Sequence, residues 1–181
     1  MIVIDFSEEI IKLDIVDLDY ILSPYCGDCQ TLIVNKSSEK KLYLLREQTI
    51  GDENYSDVVL GISKDIKEIK SKMREYVEDN EQYPYFYRLV GDIDRKECLL
   101  RGSLSGFESI EKGKRLKVEY KTYKAKTELG DMFLVDTLIS VFEDESMYDD
   151  ASSFAFFEEK EARKFIDETF KDKLEQEVFE Y

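Results

Sequence analysis

Three groups of residues in this 181-residue chain have types and spacings that suit chemistry. Cys26 and Cys29 have two residues between them in Cys26-Gly27-Asp28-Cys29. Two thiols so placed can cycle between dithiol and disulfide, or supply half of a tetrahedral zinc site. A second group, Lys112, Lys114, Arg115, Lys117, Lys121, Lys124 and Lys126, is interleaved with Tyr120 and Tyr123. Cations alternating with rings can follow a phosphate backbone and stack bases, and an edge strand guarded by lysines has the same pattern. The third group is acidic: Asp144, Glu145, Asp149, Asp150, Glu158, Glu159 and Glu161 surround a short apolar run. Carboxylates held on a rigid scaffold can occupy a basic groove on a partner.

Over Tyr25-Cys26-Gly27-Asp28-Cys29 the chain resembles a thioredoxin-type redox site. That chemistry needs the first thiolate at the start of a helix that follows a strand, where dipole and amides stabilise it. Here Thr31-Leu32-Ile33-Val34 follows, which reads as strand. A zinc knuckle wants about four ligands, and beyond this pair the chain offers Cys98, no histidine, and acids. Turn cysteines, metal ligands and a redox pair all stay open. Cys26 and Cys29 are the one metal candidate, and no cofactor is expected.

Histidine is absent altogether. That excludes Ser-His-Asp and Cys-His catalysis, an imidazole general base and His-ligated metal. Gly102-Ser103-Leu104-Ser105-Gly106 lacks the spacing and lysine of a phosphate-binding loop. Asp92-Ile93-Asp94 and the run Glu143–Asp150 carry paired carboxylates, but without the spaced ligands and glycine of a calcium loop.

Charge is distributed unevenly. The chain carries 41 acids and 26 bases, a net charge of −15. Both ends are acidic, whereas residues 110–127 hold seven bases and two acids. A protein that binds nucleic acid directly is expected to show a dominant basic face, so this balance points away from it. With 43% hydrophobic and 13% aromatic residues the chain can fill a core. No apolar run reaches the ~18 residues of a membrane span. The start, Met-Ile-Val-Ile-Asp-Phe, lacks the basic region of a secretory signal, and three cysteines suit a reducing compartment. The expected location is cytoplasmic, the host bacterial cytoplasm for a phage-encoded chain.

The elements that must position these groups can be read from periodicity. Residues 30–35, 41–46, 57–62, 85–90, 114–126 and 132–142 read as strands. Ile66, Ile69, Met73, Tyr76 and Val77 give a helical stripe after Ser63. Ile11, Ile15, Leu18 and Leu22 also fall at helical spacing, against a β-branched content that favours strand. Phe154–Phe157 reads as strand, followed by a helix carrying Ala162, Phe165, Ile166, Phe170 and Leu174 on one face. Gly102–Gly106 reads as a flexible connection. The expected fold is α+β, an antiparallel sheet with two or three helices packed mainly on one face. It forms one domain over 1–181, with the option of two β-rich halves, each closed by a helix, over about 1–82 and 83–181.

The function these features favour is an acidic binding protein rather than an enzyme. By analogy of size and charge it would be an inhibitor of the phage anti-defence kind, including anti-CRISPR proteins. It would act as a DNA mimic on a basic, nucleic-acid-binding partner such as a CRISPR effector nuclease. The partner-binding residues would be Asp144, Glu145, Asp149, Asp150, Glu158, Glu159 and Glu161. The alternatives are an immunity protein against a nuclease toxin, a His-independent nuclease-like enzyme using Lys, Tyr and carboxylates, and a CxxC redox enzyme; any nucleic-acid contact would fall on Lys114, Arg115, Lys117, Lys121 and Tyr123. No membrane partner is expected.

Overall fold

A computed structural model describes residues 1–17, 29–79, 85–108, 114–143, 146–171 and 174–180. The chain forms two compact units, Met1–Asp92 and Ile93–Tyr181.

The first unit is a meander of four antiparallel strands: β1 (Glu8–Asp17), β2 (Cys29–Ser37), β3 (Leu42–Ile50) and β4 (Tyr55–Ser63). Period-two placement puts Ile11, Leu13 and Ile15 of β1 beside Leu32 and Val34 of β2 and Leu45 of β3, all buried. Helix α1 (Ile66–Glu78) follows β4. Asp65 caps it, its carboxylate accepting from the Lys67 N–H at 2.9 Å. Ile69, Met73 and Val77, at i, i+4 and i+8, bury its inner face against β3 and β4. Strand β5 (Tyr85–Leu89) then returns to pair antiparallel with β1, Leu89 facing Leu13. Beside that pair Asp14, 7% exposed, accepts from Thr31 Oγ1 at 2.7 Å and ion-pairs with Arg88. The buried charge is thus satisfied from both neighbouring strands, as burial requires.

The second unit repeats that order with longer strands. The meander is β6 (Glu97–Glu108), β7 (Lys114–Thr127), β8 (Gly130–Glu143) and β9 (Ser146–Phe156). Its tight β7–β8 turn needs a positive φ at Gly130 (91°), and the Thr127 hydroxyl donates to the Gly130 carbonyl at 2.8 Å. Helix α2 (Glu159–Ile166) runs into one π-helical turn, Asp167–Lys171. Phe165 meets Phe154, Phe156 and Phe170 at ring-centroid distances of 4.8, 5.2 and 5.6 Å. Strand β10 (Leu174–Glu180) returns to pair antiparallel with β6. Each unit is therefore four strands, a helix, and a fifth strand laid beside the first.

This corrects the expected α+β arrangement. The described residues hold ten strands and two short helices, of 13 and 8 residues, so sheet dominates and no layer of two or three helices covers one face. Residues 8–17 are strand, paired with β2 on one side and β5 on the other and buried on both faces over Leu13–Val16, where a helical stripe was also readable. Gly102–Gly106 lies inside β6, and most of the acidic run before Phe154 lies inside β9. The final helix ends early, and Leu174 opens a strand.

Candidate basic groove

Strand β7 is paired along its length, with β6 on one side and β8 on the other. It is a central strand, so its lysines do not guard an edge. Alternation sends Leu116, Val118, Tyr120 and Thr122 into the core. The same alternation leaves Arg115, Lys117, Glu119 and Lys121 exposed on the other face. Register extends that face sideways. Arg101 on β6 stands opposite Lys121, and Ser103 and Ser105 stand opposite Glu119 and Lys117. On β8, Asp136, Leu138 and Phe142 stand opposite Lys121, Glu119 and Arg115. Together they floor a groove of about 750 Å³, within the range of ligand sites.

The charges of the floor are of two kinds. One end is fixed. Arg95 grips Asp136 with two hydrogen bonds, Nε to Oδ2 at 2.6 Å and Nη2 to Oδ1 at 2.8 Å. Arg95 also donates to Ser153 Oγ at 3.1 Å and lies 5.7 Å from the centre of the Tyr123 ring. Lys117 pairs with Glu119 at 2.6 Å. By contrast, among the described residues no carboxylate pairs with Arg101, Arg115 or Lys121. Arg101 and Lys121 are cross-strand neighbours, and Arg115 lies six residues along β7, about 20 Å away at ~3.4 Å per residue. Leu138 and Phe142, 38% and 36% exposed, place apolar surface among these cations. Anionic groups spaced along an extended chain, with flat apolar groups between them, match that pattern.

Gly102 shapes the β6 side of the groove. It faces Tyr120 across the strand pair, and a Cβ there would run into the Tyr120 ring. The glycine lets a buried ring lie against the backbone, which holds β6 and β7 in register under Arg101 and Lys121.

Other expected site residues fall elsewhere. Asp144, Glu145 and Cys26 lie outside the described residues, as do the side chains of Cys29 and Lys114, whose backbones open β2 and β7. Tyr123 is half-buried at the fixed end of the groove. Asp149 is exposed on the groove face, opposite Ser140 on β8. Asp150 is on the other face and accepts from Ser152 Oγ at 2.9 Å. Three acids serve the start of α2. Glu161 accepts from the Glu158 N–H at 3.1 Å, Glu158 pairs with Lys160 at 2.7 Å, and Glu159 pairs with Arg163 at 2.7 Å. The described members of the acidic group are thus spread over two sheet faces and a helix start. Cys98 is exposed with a free thiol, and among the described residues no three or more His, Cys, Asp or Glu gather as a metal site.

Arg101, Ser103, Ser105, Asp136, Leu138 and Phe142 were not legible as site residues. Their signal was the polar alternation of Arg101, Ser103 and Ser105 against Leu100 and Leu104, which the two flanking glycines disguised as a loop. Compared with family models, with curated proteins and with solved structures, the chain gives no match. Among the described residues no helix is long and apolar enough to cross a membrane. Function must therefore be argued from the groove itself.

Proposed function

We propose that this is a non-catalytic binding protein whose second unit takes a single-stranded, phosphate-bearing chain along the β6–β7–β8 face. The observation that carries this reading is the row of Arg101, Lys121 and Arg115 without carboxylate partners among the described residues, on one exposed face. Phosphates would meet these three cations, and bases would lie against Leu138 and Phe142. The chain's net charge of −15 opposes a polyanion at long range. At physiological salt, however, charges beyond about 8 Å are largely screened, so the local cations dominate contact. The arrangement supports binding without cleavage, because the groove's carboxylates, Glu119 and Asp136, are each engaged by a cation. A cytoplasmic setting, where single strands and free thiols such as Cys98 coexist, belongs to the same proposal.

The net charge of −15 favours a second reading, the acidic inhibitor that occupies a basic nucleic-acid-binding protein, of the anti-CRISPR, anti-defence or immunity kind. The two readings give opposite outcomes with the same variants. Fluorescence anisotropy with a labelled single-stranded oligonucleotide tests the first. Direct binding that is lost in Arg101→Glu with Lys121→Glu supports the groove. No oligonucleotide binding, together with salt-sensitive capture of a basic nuclease that survives those substitutions and is lost on reversing Asp149 and Glu159, supports the inhibitor instead.

A further inference from the structure

Strand β4 ends the order of strands in the first unit and, among the described residues, pairs with β3 on one edge only. Natural edge strands are blunted by lysine, proline, inward charge or a bulge. The sequence of β4, Tyr-Ser-Asp-Val-Val-Leu-Gly-Ile-Ser, has no lysine and no proline. Asp57 is its one carboxylate, and Arg46 holds it at 2.6 Å. Tyr55, Val59 and Ile62 are 68%, 56% and 53% exposed. One blunting device is present, a bulge that leaves Leu60 of β4 without a partner between Val59, opposite Arg46, and Gly61, opposite Leu45. In a strongly acidic chain, β4 is a near-neutral, apolar, hydrogen-bonding edge.

The flanks of β4 choose the occupant. Asp52 and Glu53 precede the strand; Lys64 and Lys67 follow it, alternating with Asp65 and Glu68, and all six are exposed. An antiparallel neighbour with the same sequence can bring Asp52 to Lys64 of the second copy at both ends. Centred on Val58, the alignment sets Val58 against Val58 of the second copy, Asp57 against Val59 of the second copy, and Asp52 against Lys64 of the second copy. One Val58–Val58 pair then sits at the centre with Asp57 against Val59 on either side, and no two carboxylates face each other, whereas centring on Asp57 would oppose like charges. We infer that β4 is a homotypic docking edge: two copies of this chain join β4 to β4, antiparallel, in an isologous contact. Two such strands bury on the order of 1,000 Å², the lower end of specific interfaces, so the dimer is reversible.

Sedimentation equilibrium of the full chain tests this, with circular dichroism as the check on folding. The wild type is expected to dimerise in the micromolar range, and Val59→Lys, at a solvent-facing position, to be monomeric with an unchanged spectrum. Asp52→Lys with Glu53→Lys is expected to weaken association roughly tenfold, about 1.4 kcal/mol. Adding Lys64→Glu and Lys67→Glu to that variant restores it, which only self-pairing allows. A wild type that stays monomeric, or charge swaps that fail to restore association, overturns the inference. So does a dimer that tolerates Val59→Lys but is lost on removing residues 1–6, where Met1, Ile2 and Val3 are also exposed. Arg101→Glu leaves the dimer intact, which separates this result from the groove.

Discussion

Removing the Phe165 ring is expected to cost about 4 kcal/mol of stability. The residue is 2% exposed, and α2 sends just three buried side chains into the second unit, Ala162, Phe165 and Ile166. Phe→Ala in a core costs ~3–5 kcal/mol, the spread reflecting how far the site collapses. Phe165 touches three other rings, two tilted and one edge-on. Each such contact is worth ~0.5–1.5 kcal/mol beyond burial, which puts the loss in the upper half of the range. Collapse is hindered because Phe154 and Phe156 are fixed in β9, paired with β8. For a chain of this size about 4 kcal/mol lowers the melting temperature by roughly 8–16 °C when unfolding is cooperative. Urea unfolding followed by circular dichroism should show a lower midpoint at unchanged slope. Phe142→Ala, at a ring 36% exposed, is the control and should lose less than ~1 kcal/mol. A loss below ~1.5 kcal/mol for Phe165→Ala would refute the claim that this ring organises the core of the second unit.

Two further outcomes follow from particular contacts. Burial, then Glu47, then Tyr85 raise the Tyr76 phenol above its ordinary 10.0. Its neutral form therefore contributes stability that is complete below pH 10 and lost as pH rises through the raised folded value. Chemical denaturation across that alkaline range should show the decline, and Tyr76→Phe should flatten it. Gly102→Ala pushes against the Tyr120 ring, so it is expected to cost ~1–3 kcal/mol in melting experiments and to weaken the groove by shifting β6 against β7.

The strands and the core were largely readable. Alternation in Lys114–Thr127 and Gly130–Glu143 is long and regular, and the helical spacing of Ile69, Met73 and Val77 agrees with a real cap at Asp65. The sheet's dominance was harder to see, because Ile11 and Ile15 satisfy period two as well as helical spacing, and pairing with β2 and β5, which one sequence does not print, decides between them. The end of α2 was misread for a related reason. Phe170 is buried in a π-turn that prolongs the apolar stripe, while the chain is already turning toward β10. The groove was half legible. Arg115, Lys117 and Lys121 announce themselves on one strand, but Arg101 joins them through cross-strand register, which one sequence does not print. Conversely, acids adjacent in sequence, such as Asp149 and Asp150, point to opposite faces of a strand, so a local count of carboxylates overstated a surface.

The most direct test is the salt dependence of oligonucleotide binding. Three cations without carboxylate partners among the described residues, each displacing a counterion from a single strand, give log K against log salt a slope of about −2. Anisotropy titrations at several salt concentrations should return that slope for the wild type, with Arg101→Ala and Arg115→Ala each reducing its magnitude by roughly 0.7. A flat dependence, no binding at low salt, or slopes unmoved by these substitutions would contradict the assignment of the β6–β7–β8 face as the binding site.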